Sequence, residues 1–133
     1  RRGRMTPSID TVTERGASEV RLALSWPPST NALFRNVPKV GRVRTKEYDR
    51  WRGVAGWELQ AQRPKKFTAP VEVIVELNPP TKHALDLDNR NKALLDLLVT
   101  HQVIPDDSTK YVRSVTAKLV ATGGPCTVIV RSV

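Results

Sequence analysis

The chain lacks the residues that would make it several other kinds of protein. One of its 133 residues is cysteine, Cys126, so an intramolecular disulfide framework and a multi-cysteine zinc site are both excluded. Two histidines, His83 and His101, are too few for a histidine-rich metal centre and read as surface residues rather than ligands. No apolar run approaches the length of a membrane-spanning helix, and residues 1–25 hold no apolar stretch of the signal-peptide kind. The expected place of action is the cytoplasm. Acid is scarce as well: 13 Asp and Glu stand against 22 Lys and Arg, a net charge of +9. A small domain this basic usually meets a polyanion, with nucleic acid the first expectation and a merely solubilising surface the plainer alternative.

The little acid there is lies unevenly. Residues 1–50 carry 11 basic and 5 acidic side chains, and residues 51–133 carry 11 and 8. Five of those last eight acids are aspartates between 86 and 107: Asp86, Asp88, Asp96, Asp106 and Asp107. Aspartate suits neither helix nor strand interiors. A short cluster of it inside a basic chain is what metal-dependent work on phosphate would need.

Apolar periodicity sets these acids at the joints of a single domain. Residues 1–18 show no period and read as a flexible leader, followed by a domain over 19–133. EVRLALSW (19–26) alternates, with Val20, Leu22, Leu24 and Trp26 on one side of a strand. Residues 27–46 read as a long loop carrying Arg35, Lys39, Arg42, Arg44 and Lys46 and no acid. Thr45 can cap a helix over 47–63 with Trp51, Val54, Ala55 and Leu59 inward. PVEVIVELN (70–78) is a second alternating strand. A second helix begins at Asp88 or Asn89 and runs to about 101, with Leu94, Leu95 and Leu98 on its apolar side. Residues 109–121 and 126–132 read as a closing hairpin around Gly123-Gly124-Pro125. The order β-α-β-α-β-β implies an α+β fold, a mixed sheet with helices packed on it. Cys126 is expected as a small buried hydrophobe, and the three tryptophans as core or subunit-contact residues.

LDLDNRNKALLDLL, 85–98, is the most informative stretch. Asp86 and Asp88 fall in the turn before the second helix, and in extended backbone residues i and i+2 point the same way. Two or three aspartates with substrate phosphate are a usual ligand set for a hard cation such as Mg²⁺. Lys92, four after Asp88, rides one turn into the helix, where it can neutralise a phosphate or a developing negative charge. Asp106 and Asp107 can supply a further ligand if the connection after residue 101 folds back to the helix start. Taken singly, each acid also suits capping or turn chemistry.

Together these pieces resemble the RusA family of Holliday junction resolvases, the crossover-junction endodeoxyribonucleases. The likeness runs from about residue 20 to 120. It is carried by WPPSTN (26–31) with Arg35 following, GRVRTKEYDRW (41–51), DLDNRNKALLDLL (86–98) and IPDD (104–107). The resemblance implies Asp86, Asp88 and Asp107 as metal ligands, Lys92 as catalytic lysine, and Asp106 as the first acid of the pair, ranked below Asp107. It implies Asn31, Arg35, Arg42, Arg44, Lys46, Asn89 and Arg90 along the DNA. It further implies a homodimer that uses Mg²⁺, or Mn²⁺ in its place, to nick a four-way junction symmetrically, with no small-molecule cofactor and no membrane partner. Two departures stand out. Gln102 occupies the place of a glycine at the end of the second helix, and TKHAL precedes the first acids where relatives often carry an arginine-rich run. The rival expectations are a branched-DNA-binding module that does not cut, and a nuclease for flaps, forks or RNA.

Overall fold

The structure, a computed structural model, describes residues 10–12, 18–82 and 84–133. A short strand, β1 (Asp10–Val12), pairs antiparallel with β2 (Ser18–Leu24). A hairpin of β3 (Phe34–Val37) and β4 (Gly41–Arg44) leads into helix α1 (Lys46–Ala61). Strand β5 (Val71–Leu77), a 3₁₀ turn over Leu87–Arg90, helix α2 (Asn91–Thr100), β6 (Val112–Leu119) and β7 (Cys126–Ser132) follow. The main sheet has the order β1-β2-β7-β5-β6, antiparallel except where β5 and β6 run side by side in parallel. The sequence expectation of an α+β domain with a mixed sheet stands.

The alternation of β2 and β5 puts Val20, Leu22, Leu24, Val71, Val73, Val75 and Leu77 into the core, each at most 2% exposed. Cys126, Val128 and Val130 of β7 join them, so the cysteine is the buried hydrophobe expected. Tyr48, Trp51, Ala55 and Leu59 of α1 and Ala93, Leu94, Leu97 and Leu98 of α2 complete the same cluster. Each large aliphatic side chain so buried contributes about 1.5–3 kcal/mol. The opposite side of the sheet carries charge. Arg131 on β7 bridges Glu19 on β2 and Glu72 on β5, both at 2.9 Å, and Arg21 lies 3.6 Å from Glu19 and from Glu76.

Both helix ends that matter for the site are fixed by local chemistry. Thr45 caps α1, its hydroxyl accepting the Tyr48 N–H at 3.1 Å. After α2 the Gln102 N–H donates to the Val99 carbonyl and the Val103 N–H to the Leu98 carbonyl, with Leu98 and Val103 both buried. That is a Schellman cap, and it holds Gln102 at φ +63°, where glycine is the favoured residue. His101 rests on Gly56 of α1, where an added Cβ would come within 2.7 Å of its Nε2. Gly56 is thus what lets the two helices approach. His101 also bonds Gln60 through Nδ1 at 2.9 Å, and burial, with Arg52 adding to it, lowers its pKa.

Several expectations need correction. Residues 27–46 are not one loop: they hold a 3₁₀ turn at Thr30–Ala32 and the β3–β4 hairpin. Its strands are four residues long and mostly exposed, so no apolar period marks them. β6 and β7 are not a hairpin, because β5 lies between them. The nearly continuous apolar run of β7 belongs at the sheet's centre, while the largely exposed β6 takes its edge. Val54 is 47% exposed and does not face inward, and Tyr48 takes its place in the core; Trp57, 74% exposed, lies outside the core of the single chain. Residues 10–12, within the expected leader, form β1, while 1–9, 13–17 and His83 lie outside the described residues.

Candidate active site

Asp86 and Asp88 lie on the segment between β5 and α2. Asp86 is in extended backbone at φ −84°, ψ 122°, and its carbonyl accepts the Asn89 N–H that opens the 3₁₀ turn. Its carboxylate makes no capping bond, and Asp88 stands one residue inside the turn. Strand alternation therefore does not relate the two side chains, contrary to the sequence argument, although both are exposed on the same short turn. The turn lies against β6, and Asp86 lines a shallow hollow with Ser29, Asn89 and Arg90.

The segment at 26–30 clamps this turn. The Thr30 hydroxyl donates to the Asn89 carbonyl at 2.9 Å. Arg90 Nη1 donates to the Pro27 carbonyl, and its guanidinium carbon sits 4.7 Å from the centre of the Trp26 ring. Burial lowers the pKa of Arg90, with Glu47 opposing the shift. Arg90 is thus half-buried and ties the acid-bearing turn to the 26–30 segment. Its Nε and the Asn91 Oδ1 are buried without a hydrogen-bond partner among the described residues.

The other residues separate into two groups. Lys92 leans along α2 to Asp96, with Nζ 3.4 Å from Oδ2, and the Tyr48 hydroxyl donates to that same oxygen at 3.4 Å. Asp106 and Asp107 lie beyond the far end of α2. The Asp107 N–H donates to Asp106 Oδ1 at 2.8 Å, so Asp106 is occupied in its turn. Asp107 borders a second hollow with Phe34, Arg44, Tyr48, Arg52, Asp96, Val99 and Thr100. Asp107 thus borders the hollow beside Asp96, Val99 and Thr100, and Asp86 borders the hollow beside Ser29, Asn89 and Arg90. Among the described residues, no three His, Cys, Asp or Glu side chains gather as a metal site within one chain.

As half of a hard-cation set, however, the acid pair is well suited. Asp86 and Asp88 supply oxygen donors, are exposed, and, among the described residues, take part in no ion pair. The β3–β4 hairpin presents exposed Arg35 and Arg42, the latter stacked 3.9 Å over the Phe34 ring. Arg44 is held by Asp49 at 2.7 Å; Lys46 and Asn31 are exposed. Sequence reasoning missed Thr30 and Tyr48 as supports of the site, and assigned Asp96 no role beyond a place on the exposed face. For Asp96 the signal was present, since it stands four residues after Lys92 on one helix.

No helix among the described residues is long and apolar enough to cross a membrane. Set against known proteins, residues 25–131 match the family model described as Endodeoxyribonuclease RusA. No curated protein matches the chain in sequence.

Proposed function

The chain belongs to the RusA endodeoxyribonuclease family, and from that premise we propose that it cuts four-way DNA junctions by metal-dependent phosphodiester hydrolysis, in recombination and repair. The observation that carries this reading is the unpaired acid pair Asp86 and Asp88, left exposed in a chain of net charge +9. A protein that only gripped DNA would gain nothing from free carboxylates near phosphates.

In this reading Asp86 and Asp88 hold Mg²⁺, or Mn²⁺, with Asp107 as a third ligand. Bound there, the cation would activate a water and stabilise charge on the phosphate and the leaving oxygen. Arg90 and Thr30 keep the acid-bearing turn fixed while DNA binds. Lys92 offers its ammonium to the scissile phosphate or the leaving oxygen. Arg35, Arg42 and Lys46, with Asn31 and Asn89 beside them, hold the backbone of the DNA largely without reading sequence. Asp107 joins the acid pair by one of two routes: the 105–110 turn refolds on DNA, or the residue comes from a second subunit. A two-fold homodimer offers the second route and also sets two sites against a two-fold substrate.

The test compares cleavage of a synthetic four-way junction, a flap, a fork, an RNA hairpin and linear duplex, each with Mg²⁺ and with EDTA. Paired symmetric nicks in the junction alone, and only with Mg²⁺, are expected. Faster cutting of flaps, forks or RNA would reassign the substrate, and tight junction binding without nicks would make the protein a binding module.

A further inference from the structure

We propose that Asp96, steadied by Tyr48, is a positioning residue that holds the ammonium of Lys92 off Asp88. This rests on the reading of Lys92 given above. The three residues form a chain: Tyr48 hydroxyl to Asp96 Oδ2 at 3.4 Å, and Asp96 Oδ2 to Lys92 Nζ at 3.4 Å. The anchor is rigid. Tyr48 is 2% exposed, stacks on Trp51 at 6.4 Å and meets Phe34 edge-on at 5.7 Å. Burial first, then Asp96, raises the Tyr48 pKa, so the phenol remains protonated and donates.

Helix stability does not account for Asp96. Aspartate is a weak helix former, and a lysine that precedes an acid by four residues is the less favourable order for such a pair. Lys92 and Asp96 are the sole charges in NKALLDLLVT. In sequence Asp88 stands four residues before Lys92, in the 3₁₀ turn ahead of α2, and Asp96 stands four residues after it on the helix. A lysine paired with Asp88 would cancel the charge a cation needs there. Asp96 competes for the ammonium and keeps it one turn away, within reach of a phosphate. Arg44 and Arg52 border the same hollow as Asp96, as does Asp107. Arg44 is engaged with Asp49, and among the described residues the cation within ion-pair distance of Asp96 is Lys92.

The experiment is a double-mutant cycle of Asp96→Asn and Lys92→Ala, reading single-turnover junction cleavage, junction affinity without cleavage, and the Lys92 side-chain NMR signal. Asp96→Asn is expected to slow cleavage about tenfold to a hundredfold with junction affinity unchanged. It should shift the Lys92 signal and cost nothing further in the Lys92→Ala background. Asp96→Glu should recover part of the rate, and Tyr48→Phe should lose a smaller factor. The proposal is overturned if Asp96→Asn cuts at the wild-type rate, if its loss persists undiminished in Lys92→Ala, or if the Lys92 signal does not move. Wild-type cleavage by Lys92→Ala alone would instead remove the lysine from the functional reading, and the NMR signal would still decide the pairing. Should Asp96→Asn fail to fold, Asp96→Glu and Tyr48→Phe carry the same comparison.

Discussion

The acids on the outer side of the sheet and the acids around α2 make opposite use of the same chemistry. On the sheet, Glu19 and Glu72 both meet Arg131 on the strand between them, and Glu76 meets Arg21 of β2. Around α2, Asp86, Asp88 and Asp107 have no basic partner among the described residues, although basic residues far outnumber acids in the chain. Pairing is the cheap arrangement for an acid in such a protein, so acids left unpaired point to a task other than stability. The first set ties strands together; the second set is available to a cation.

That contrast can be broken from either side. The largest expected effect beyond the acid pair itself is at Asp107. Asp107→Asn should lower junction cleavage by about a hundredfold or more while junction binding persists, in keeping with the several kcal/mol that metal ligation supplies. Mixing this inactive protein with inactive Asp88→Asn protein then distinguishes the two routes to a complete site. Recovered cleavage means that Asp107 acts across subunits, and no recovery means that it acts within one chain. On the sheet, Arg131→Ala should do the reverse: lower stability by about 1 kcal/mol, read as a shift in denaturation midpoint, and leave the cleavage rate of the bound junction unchanged.

Smaller effects sharpen the picture of the frame. Gln102→Gly should raise stability by about 1 kcal/mol, since glycine accepts the left-handed backbone at that cap, and the melting temperature should rise by a few degrees. His101 should add a pH dependence in one direction. Its folded pKa lies below the ordinary value, so the unfolded chain binds the proton more readily. Its contribution is complete above the ordinary imidazole pKa of about 6.5 and is lost as pH falls below it. His101→Asn should flatten the slope of stability against pH in that range, as read by denaturant titration.

Much of this frame was legible from residues alone, for identifiable reasons. β2, β5 and β7 show their apolar faces or runs, and Thr45 sits where a cap must be. The β3–β4 hairpin was hidden because exposed four-residue strands bury nothing that leaves a period. The edge place of β6 was hidden because pairing between parallel strands has no local signature, and with it went the location of Asp107. The part Arg90 plays in holding the turn was hidden because its carbonyl partner, Pro27, lies 63 residues earlier in the chain. The acid pair and Lys92 could be proposed from residues alone because their spacing is local. What holds them, Trp26, Thr30 and Tyr48, comes from elsewhere in the fold.

The central claim is that Asp86 and Asp88 are left unpaired in order to hold a catalytic cation. Its most direct test sets Asp88→Asn beside the wild type on a synthetic four-way junction in Mg²⁺, with cleavage and junction binding measured on the same samples. Cleavage reduced by about a thousandfold with binding largely intact is the predicted result. Cleavage at the wild-type rate would contradict the claim and return these aspartates to turn chemistry.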